Sequence, residues 1–147
     1  MELGHAEVEQ VWPRGGRVRL TGFIAGAEAG SAPETATLTL TDRDHPTVVL
    51  TCPATLRGGR FETSFGIDLL ASASPLEGDD GRQVWDLHLK VPGRSEPLRL
   101  GRHLDDIPNK KKVITFPAQT DDTPMGPISV KPYYTVQSNL SLICRRG

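Results

Sequence analysis

Two short clusters carry the residue types that polar chemistry uses. In Asp42-Arg43-Asp44-His45, two carboxylates and an imidazole sit within one turn's length of chain, a spacing at which oxygen and nitrogen ligands can converge on a cation. In His103-Leu104-Asp105-Asp106 an imidazole adjoins two carboxylates, the pairing on which general acid–base catalysis draws. Neither cluster goes further by itself. The first finds no additional ligands in nearby segments and reads as a hydrated turn; the second has no nucleophile or second base at partner spacing and reads as a polar loop. His88 alternates with Asp86 and Lys90, which makes it a solvent-facing strand residue within reach of a ligand. The sequence contains no G-x-x-x-x-G-K-S/T, G-x-G-x-x-G, H-E-x-x-H or G-x-S-x-G run, so the common phosphate cradles, zinc helices and serine elbows are missing. No catalytic residue, metal ligand or cofactor is expected.

Charge offers a different chemistry. The 147 residues include 17 basic and 18 acidic side chains, a net charge of −1, and nothing global provides the positive field that non-specific nucleic-acid binding needs. The distribution is uneven, however: residues 1–90 hold 8 basic and 13 acidic side chains, whereas residues 91–147 hold 9 and 5. Arg99, Arg102, Lys110, Lys111, Lys112, Lys131, Arg145 and Arg146 all lie in the second part. Brought to one face, they would attract a phosphate-bearing polymer or an anionic surface. The competing reading of Lys110-Lys111-Lys112 is a solvated or edge-protecting charge run.

Stacking on aromatic rings is the remaining possibility. Of 8 aromatic residues, Phe61, Phe65 and Trp85 fall on apolar strand faces and are assigned to the core. Trp12 borders a turn and Phe23 is out of phase with its neighbours, so either is a candidate for exposure. Tyr133 and Tyr134 are adjacent and must point to opposite faces of a strand, which leaves one ring free for contact.

The elements that would position these residues are strands. Period-two alternation recurs throughout: Val18 and Leu20 oppose Arg17 and Arg19; threonines alternate with Leu38 and Leu40 over residues 35–41; Phe61, Phe65 and Ile67 oppose Glu62, Ser64 and Asp68; and Trp85, Leu87, Leu89 and Val91 oppose Asp86, His88 and Lys90. The 15 glycines and 12 prolines fit many short segments separated by turns. Residues 68–74 are the sole helix candidate and are shorter than the roughly 12 residues an isolated helix needs. Seven strands before residue 101 predict a two-sheet antiparallel sandwich. Residues 1–101 form the expected β-sandwich core, residues 102–127 a basic, proline-bearing loop or linker, and residues 128–147 C-terminal strands that return to the same domain. Cys52 and Cys144 are the only cysteines and read as reduced, buried thiols, with a disulfide between them as the alternative. No apolar run approaches the roughly 18 residues that cross a bilayer, and residues 1–10 have no apolar stretch flanked by basic residues. A cytoplasmic protein is expected, reaching the inner face of a membrane only through a partner.

One resemblance adds to this. Gly16-Arg-Val-Arg-Leu-Thr-Gly-Phe-Ile24, Phe65-Gly-Ile-Asp-Leu-Leu70, Val84-Trp-Asp-Leu-His-Leu-Lys-Val91, Pro97-Leu-Arg-Leu-Gly-Arg102, Lys131-Pro-Tyr-Tyr-Thr135 and Ser138-Asn-Leu-Ser-Leu142 follow one another in order. Together they resemble the C-terminal β-rich accessory module of actinobacterial wall-polymer glycosyltransferases and CDP-glycerol glycerophosphotransferases, over nearly the whole chain. The resemblance implies that catalysis resides in a separate nucleotide-sugar or CDP-glycerol domain. It implies for this chain a non-catalytic accessory role, binding an anionic or glycosylated wall polymer or positioning it for the transferase.

The combined expectation is an all-β, antiparallel immunoglobulin-like β-sandwich with a C-terminal arm that adds a strand. Its core includes Trp85, Leu87, Leu89, Phe61, Phe65, Val18 and Leu20, and its ligand-contacting residues are Arg99, Arg102, Lys110, Lys111, Lys112, Lys131, Tyr133 and Tyr134. The expected partners are a wall polymer or a transferase domain, with a homo-oligomer as a further option and neither nucleic acid nor membrane insertion. An oligomerisation or domain-docking module without a ligand is the alternative function, and a small enzyme with a His/carboxylate site a distant third.

Overall fold

A computed structural model of the chain describes residues 5–24, 34–71, 82–91, 96–102, 116, 118–123, 126–135 and 137–146. Within them lie ten strands and one short helix: β1 (Ala6–Arg14), β2 (Arg17–Ile24), β3 (Glu34–Asp42), β4 (Val49–Arg57), β5 (Arg60–Gly66), α1 (Asp68–Ala71), β6 (Arg82–Lys90), β7 (Leu98–Gly101), β8 (Gln119–Thr123), β9 (Gly126–Tyr134) and β10 (Leu140–Arg146). Two of the hairpins turn on glycine pairs. Gly15 and Gly16 have φ of 64° and 75°, and Gly58 and Gly59 have 59° and 80°; positive φ at both central residues is what a tight two-residue hairpin demands.

The immunoglobulin-like sandwich expected from the strand count is not the fold. The first seven strands close on themselves in the order β3-β4-β5-β2-β1-β7-β6, and β6 returns to pair with β3, which makes a seven-stranded barrel. Two pairings seal it. Leu38 and Leu40 of β3 lie opposite Leu89 and Leu87 of β6, and β1 joins β7 in a short parallel match, Ala6 to Leu100 and Glu7 to Gly101. A sandwich leaves sheet edges open, and closure removes them. The alternating pattern is the same in both architectures, because each strand buries one face in either case. The barrel interior is filled by side chains that include Val18, Leu20, Leu38, Leu40, Trp85, Leu87, Leu89 and Leu100, all fully buried, with Phe61 and Phe65 beside them.

The C-terminal strands attach through an unusual division of β6. Along the edge that faces away from β3, residues 88–89 pair with β7, while residues 82–86 pair with β10. Because β7 is short, the first half of β6 is left free to receive another strand. The β9–β10 hairpin and then β8 continue the sheet outward from there; β8 falls inside the segment 102–127 read from sequence as a loop or linker. Ile128, Val130, Tyr134, Leu140, Leu142 and Cys144 turn inward and join the same apolar core.

One glycine is fixed by contact. At Gly22 an added Cβ would lie 2.0 Å from the carbonyl oxygen of Glu7 and 2.8 Å from Cε1 of Phe61, beside the bulge between Val8 and Gln10 of β1. The nearer obstacle is backbone and cannot swing aside. Gly22→Ala is expected to destabilise the fold by about 3 kcal/mol, read as a lower urea midpoint at unchanged slope.

Candidate functional site

The β6–β10–β9 sheet turns one face to the core and the other outward, and register decides what meets there. Asp86 pairs with Ser141, which pairs with Tyr133; Val84 pairs with Ile143, which pairs with Lys131; Arg82 pairs with Arg145, which pairs with Ser129. Three adjacent strands therefore present Arg82, Arg145 and Lys131 on the same outward face, and all three are exposed. With neighbouring strands about 4.8 Å apart, these cations gather within roughly 10 Å. They line a cleft of about 450 Å³ together with Tyr133, Ile143, Ser129 and Ala118. Among the described residues no carboxylate lines this cleft, and none pairs with Arg82, Lys131 or Arg145. Like charges directly opposite across two strands disfavour folding, so the Arg82–Arg145 pair is a local expense that packing does not explain.

A second cleft, about 470 Å³, lies on the other side of Tyr133 and is lined by Arg43, Asp86, Arg99 and the hairpin residues Thr135, Gln137 and Asn139. Its two arginines share one carboxylate, Asp86. Arg43 grips Asp86 with two bonds, Nη2 to Oδ1 at 2.7 Å and Nε to Oδ2 at 3.2 Å. From Arg99, Nη2 donates to Asp86 Oδ1 at 3.1 Å and to Ser141 Oγ at 2.9 Å, while Nη1 donates to the carbonyls of Leu87, Leu100 and Leu140. Ser141 in turn donates to Asp86 Oδ1 at 2.7 Å. The hairpin tip is tied down as well: Thr135 N donates to Asn139 O at 2.7 Å, Ser138 N to Thr135 O at 2.8 Å, and Arg102 N to Ser138 O at 2.9 Å.

This network sets two acid-side titrations. Burial opposes ionisation of Asp86, but the hydrogen bonds from Arg43 and Ser141 and the charges of Arg99 and Arg43 outweigh it and hold the carboxyl below its ordinary 3.8. Burial, reinforced by Arg99, holds His88 below its ordinary 6.5. In both cases the folded form resists a proton that the unfolded chain accepts, so the associated stability is present above the ordinary value and is lost as pH falls below it. Thermal melts are expected to show stability declining below pH 6.5 through His88 and again below pH 3.8 through Asp86. A His88→Asn variant should flatten the first decline and leave the second.

The residues singled out from sequence scatter over several environments. Lys131 and Tyr133 are in the cationic cleft. Arg99 is partly buried and committed to Asp86 and Ser141. Tyr134 is 1% exposed and packs toward Phe116, ring centroids 6.0 Å apart, so Tyr133 is the ring left at the surface. Arg102 lines a different groove, with Glu7, Glu9 and Arg60. Lys110, Lys111, Lys112, His103, Asp105 and Asp106 lie outside the described residues. At the other His/carboxylate cluster Asp42 is 1% exposed, not hydrated: its carboxylate accepts from the backbone N–H of Asp44 and His45 and from Gln83 Nε2 at 3.2 Å. That arrangement anchors a turn to β6, and among the described residues no group of three His, Cys, Asp or Glu side chains is placed to hold a metal ion. Cys52 and Cys144 are free thiols, and burial pushes the Cys52 thiol up, away from nucleophilic character. Trp12 is exposed, and Arg19 covers its ring with the guanidinium carbon 4.6 Å from the centroid.

Sequence reasoning missed Arg82, Arg43 and Asp86 as members of one surface. Arg82 shares the outward phase of Asp86 and His88, and that alternation is the signal that could have found it.

Fold and site together define a closed β-barrel module whose appended C-terminal sheet carries a cationic surface cleft. In its fold the chain is similar to Staphylococcus aureus TarS: the structures align with a TM-score of 0.67 at 10% identity, over 98% of this chain and 25% of that one. A fragment of S. aureus TarS, its residues 217–571, aligns with a TM-score of 0.65 at 9% identity, over 99% of this chain and 39% of the fragment. This chain thus spans between a quarter and two fifths of the structures it resembles. No protein-family model and no curated protein matches the sequence. Among the described residues no helix is long and apolar enough to cross a membrane.

Proposed function

We propose that this chain is a non-catalytic accessory module of a wall-polymer transferase, and that it holds an anionic polymer in the cleft between β6, β10 and β9. The observation that carries this reading is the trio Arg82, Lys131 and Arg145, three exposed cations on adjacent strands with no described carboxylate among them. Cations left unpaired at mutual electrostatic expense favour an anion arriving from outside. The same cleft has no imidazole or carboxylate among its described lining residues, so its chemistry is attraction and positioning, without proton transfer by such groups. The likeness of fold to part of TarS, a wall teichoic acid glycosyltransferase, supports the same setting. In that setting the module raises the effective concentration of its polymer near a catalytic partner, as any tethered binding site does.

Fluorescence anisotropy with labelled, soluble poly(glycerol phosphate) tests the reading. Binding is expected at low salt and should weaken steadily as salt rises, because exposed charges are screened over about 10 Å at 0.1 M. Absence of binding at low salt, or binding indifferent to salt, would rule the reading out.

A further inference from the structure

We infer that the β1–β2 hairpin docks the barrel directly on an anionic membrane surface, with Trp12 in the headgroup region and Arg14 and Arg17 facing the lipid phosphates. The inference stands apart from the polymer-binding reading, because it concerns a different hairpin and different residues.

Register gathers the patch. Trp12 lies opposite Arg19, and Arg14 opposite Arg17, across β1 and β2, and all four are exposed. With strands about 4.8 Å apart and same-face residues about 6.7 Å apart along each strand, the four occupy one compact square. Their parts differ. Nε and Nη2 of Arg19 both meet Glu62 Oε2 at 2.7 Å, which holds the guanidinium over one side of the indole and fixes the ring. Arg17 Nε donates to the neutral Ser64 Oγ at 3.2 Å. Among the described residues no ion pair includes Arg14 or Arg17. Exposed Asp68 is the carboxylate beside Arg17: a Cβ placed on Gly66 would lie 2.3 Å from Asp68 Oδ1 and 3.6 Å from Arg17 Nη1. Three arginines against Glu62 and Asp68 leave one positive charge in excess. The turn that carries them is held in place, since Gln119 accepts from Gly16 N at 2.8 Å and donates to Arg17 O at 2.6 Å, and Ile67 N donates to Gly16 O at 2.9 Å. A preformed surface loses less freedom on docking.

The apolar side chains point to a bilayer. Trp12 and Val49 are the large apolar residues exposed among the described ones, at 38% and 46%, and they share one end of the barrel. Strands β2 and β4 both run antiparallel to β5, so Val49, which opens β4, lies at the end where β2 begins and β1 stops. Tryptophan rings favour the headgroup level of a bilayer, and basic side chains near an anionic leaflet are drawn to it. A soluble anion would engage the arginines and leave Trp12 and Val49 in water. Arg14 and Arg17 also repel each other across the two strands, an expense that a surface of negative headgroups offsets.

The chain has two tryptophans, and Trp85 is fully buried, so a change in tryptophan emission on adding vesicles reports on Trp12. Vesicles of equimolar phosphatidylglycerol and phosphatidylcholine are expected to shift the emission to the blue and to protect it from acrylamide; vesicles of phosphatidylcholine alone should do neither. In co-sedimentation, joint Arg14→Ser and Arg17→Ser substitution is expected to weaken binding to the anionic vesicles roughly ten- to thirtyfold, at about fivefold per cation. Asp68→Asn should strengthen it about fivefold. Both variants should keep wild-type affinity for poly(glycerol phosphate), and joint serine substitution of Arg82, Lys131 and Arg145 should keep vesicle binding. Emission indifferent to anionic vesicles, equal binding to both vesicle types, or vesicle binding lost with the cleft cations but not with Arg14 and Arg17 would each overturn the inference. Protection of Trp12 by a single-stranded oligonucleotide but not by vesicles would overturn it too. Failure of poly(glycerol phosphate) to bind would remove the functional reading and leave this inference standing.

Discussion

Trp85→Ala is expected to cost about 3 to 5 kcal/mol of folding stability, the largest single-residue effect foreseen for this chain. Trp85 is the largest of the fully buried side chains. It also sits where the architecture is most dependent on one strand: on one edge it lies opposite Asp42 of β3, and on the other opposite Leu142 of β10. Truncation therefore opens a cavity at the seam that closes the barrel and at the junction that holds the C-terminal hairpin. For a domain whose total stability is on the order of 5 to 15 kcal/mol, such a loss approaches unfolding at physiological temperature. A conservative variant makes the test specific. Among the described residues the buried indole Nε1 has no hydrogen-bond partner, so Trp85→Phe removes a polar group without breaking a described hydrogen bond. It should lose much less stability than the alanine variant, about 1 to 2 kcal/mol. Urea denaturation of both variants measures the difference, and a fully stable Trp85→Ala protein would contradict the packing described.

Simultaneous replacement of Arg82, Lys131 and Arg145 by serine is expected to reduce affinity for poly(glycerol phosphate) by about three- to a hundredfold at low salt. Each exposed ion pair contributes roughly 0.2 to 1 kcal/mol, and three together give that range when converted at about 1.4 kcal/mol per tenfold. The salt dependence should become shallower as well, because fewer counterions are released on binding. Stability should move in the opposite direction. Arg82 and Arg145 face each other across β6 and β10, so relieving their repulsion should leave the variant as stable as wild type or slightly more so. Arg145→Glu sharpens the contrast, since it replaces a cross-strand repulsion by an attraction while placing a negative charge in the cleft. Higher melting temperature with lost binding is the expected signature of residues retained for a ligand. Lower stability in these variants would mark the three cations as structural.

Both predictions concern β6, and the sequence displayed that strand plainly. Trp85, Leu87 and Leu89 alternate with Asp86 and His88 because a pleated strand must send neighbours to opposite sides, and the apolar set is indeed buried. Local periodicity of this kind needs no knowledge of the rest of the chain. The turn at Gly58-Gly59 follows in the same local way from two adjacent residues that tolerate positive φ.

Local alternation alone settles the all-β class and, for strands such as β2, β5 and β6, which side faces inward, because these depend on residues one or two positions apart; β8 carries no such pattern and was read as part of a loop. Closure into a barrel was decided elsewhere, by which edges meet. Nothing in β3 or β6 alone announces that Leu40 lies beside Leu87, and a sandwich would bury the same side chains. The site was likewise a product of pairing. Arg82, Lys131 and Arg145 come from distant parts of the chain and become neighbours only through the registers of β6 with β10 and of β10 with β9. Arg99, equally basic in sequence, turns instead to Asp86 and the carbonyls around it. A cation's type is written in the sequence; whether its charge is balanced depends on the company that tertiary structure gives it.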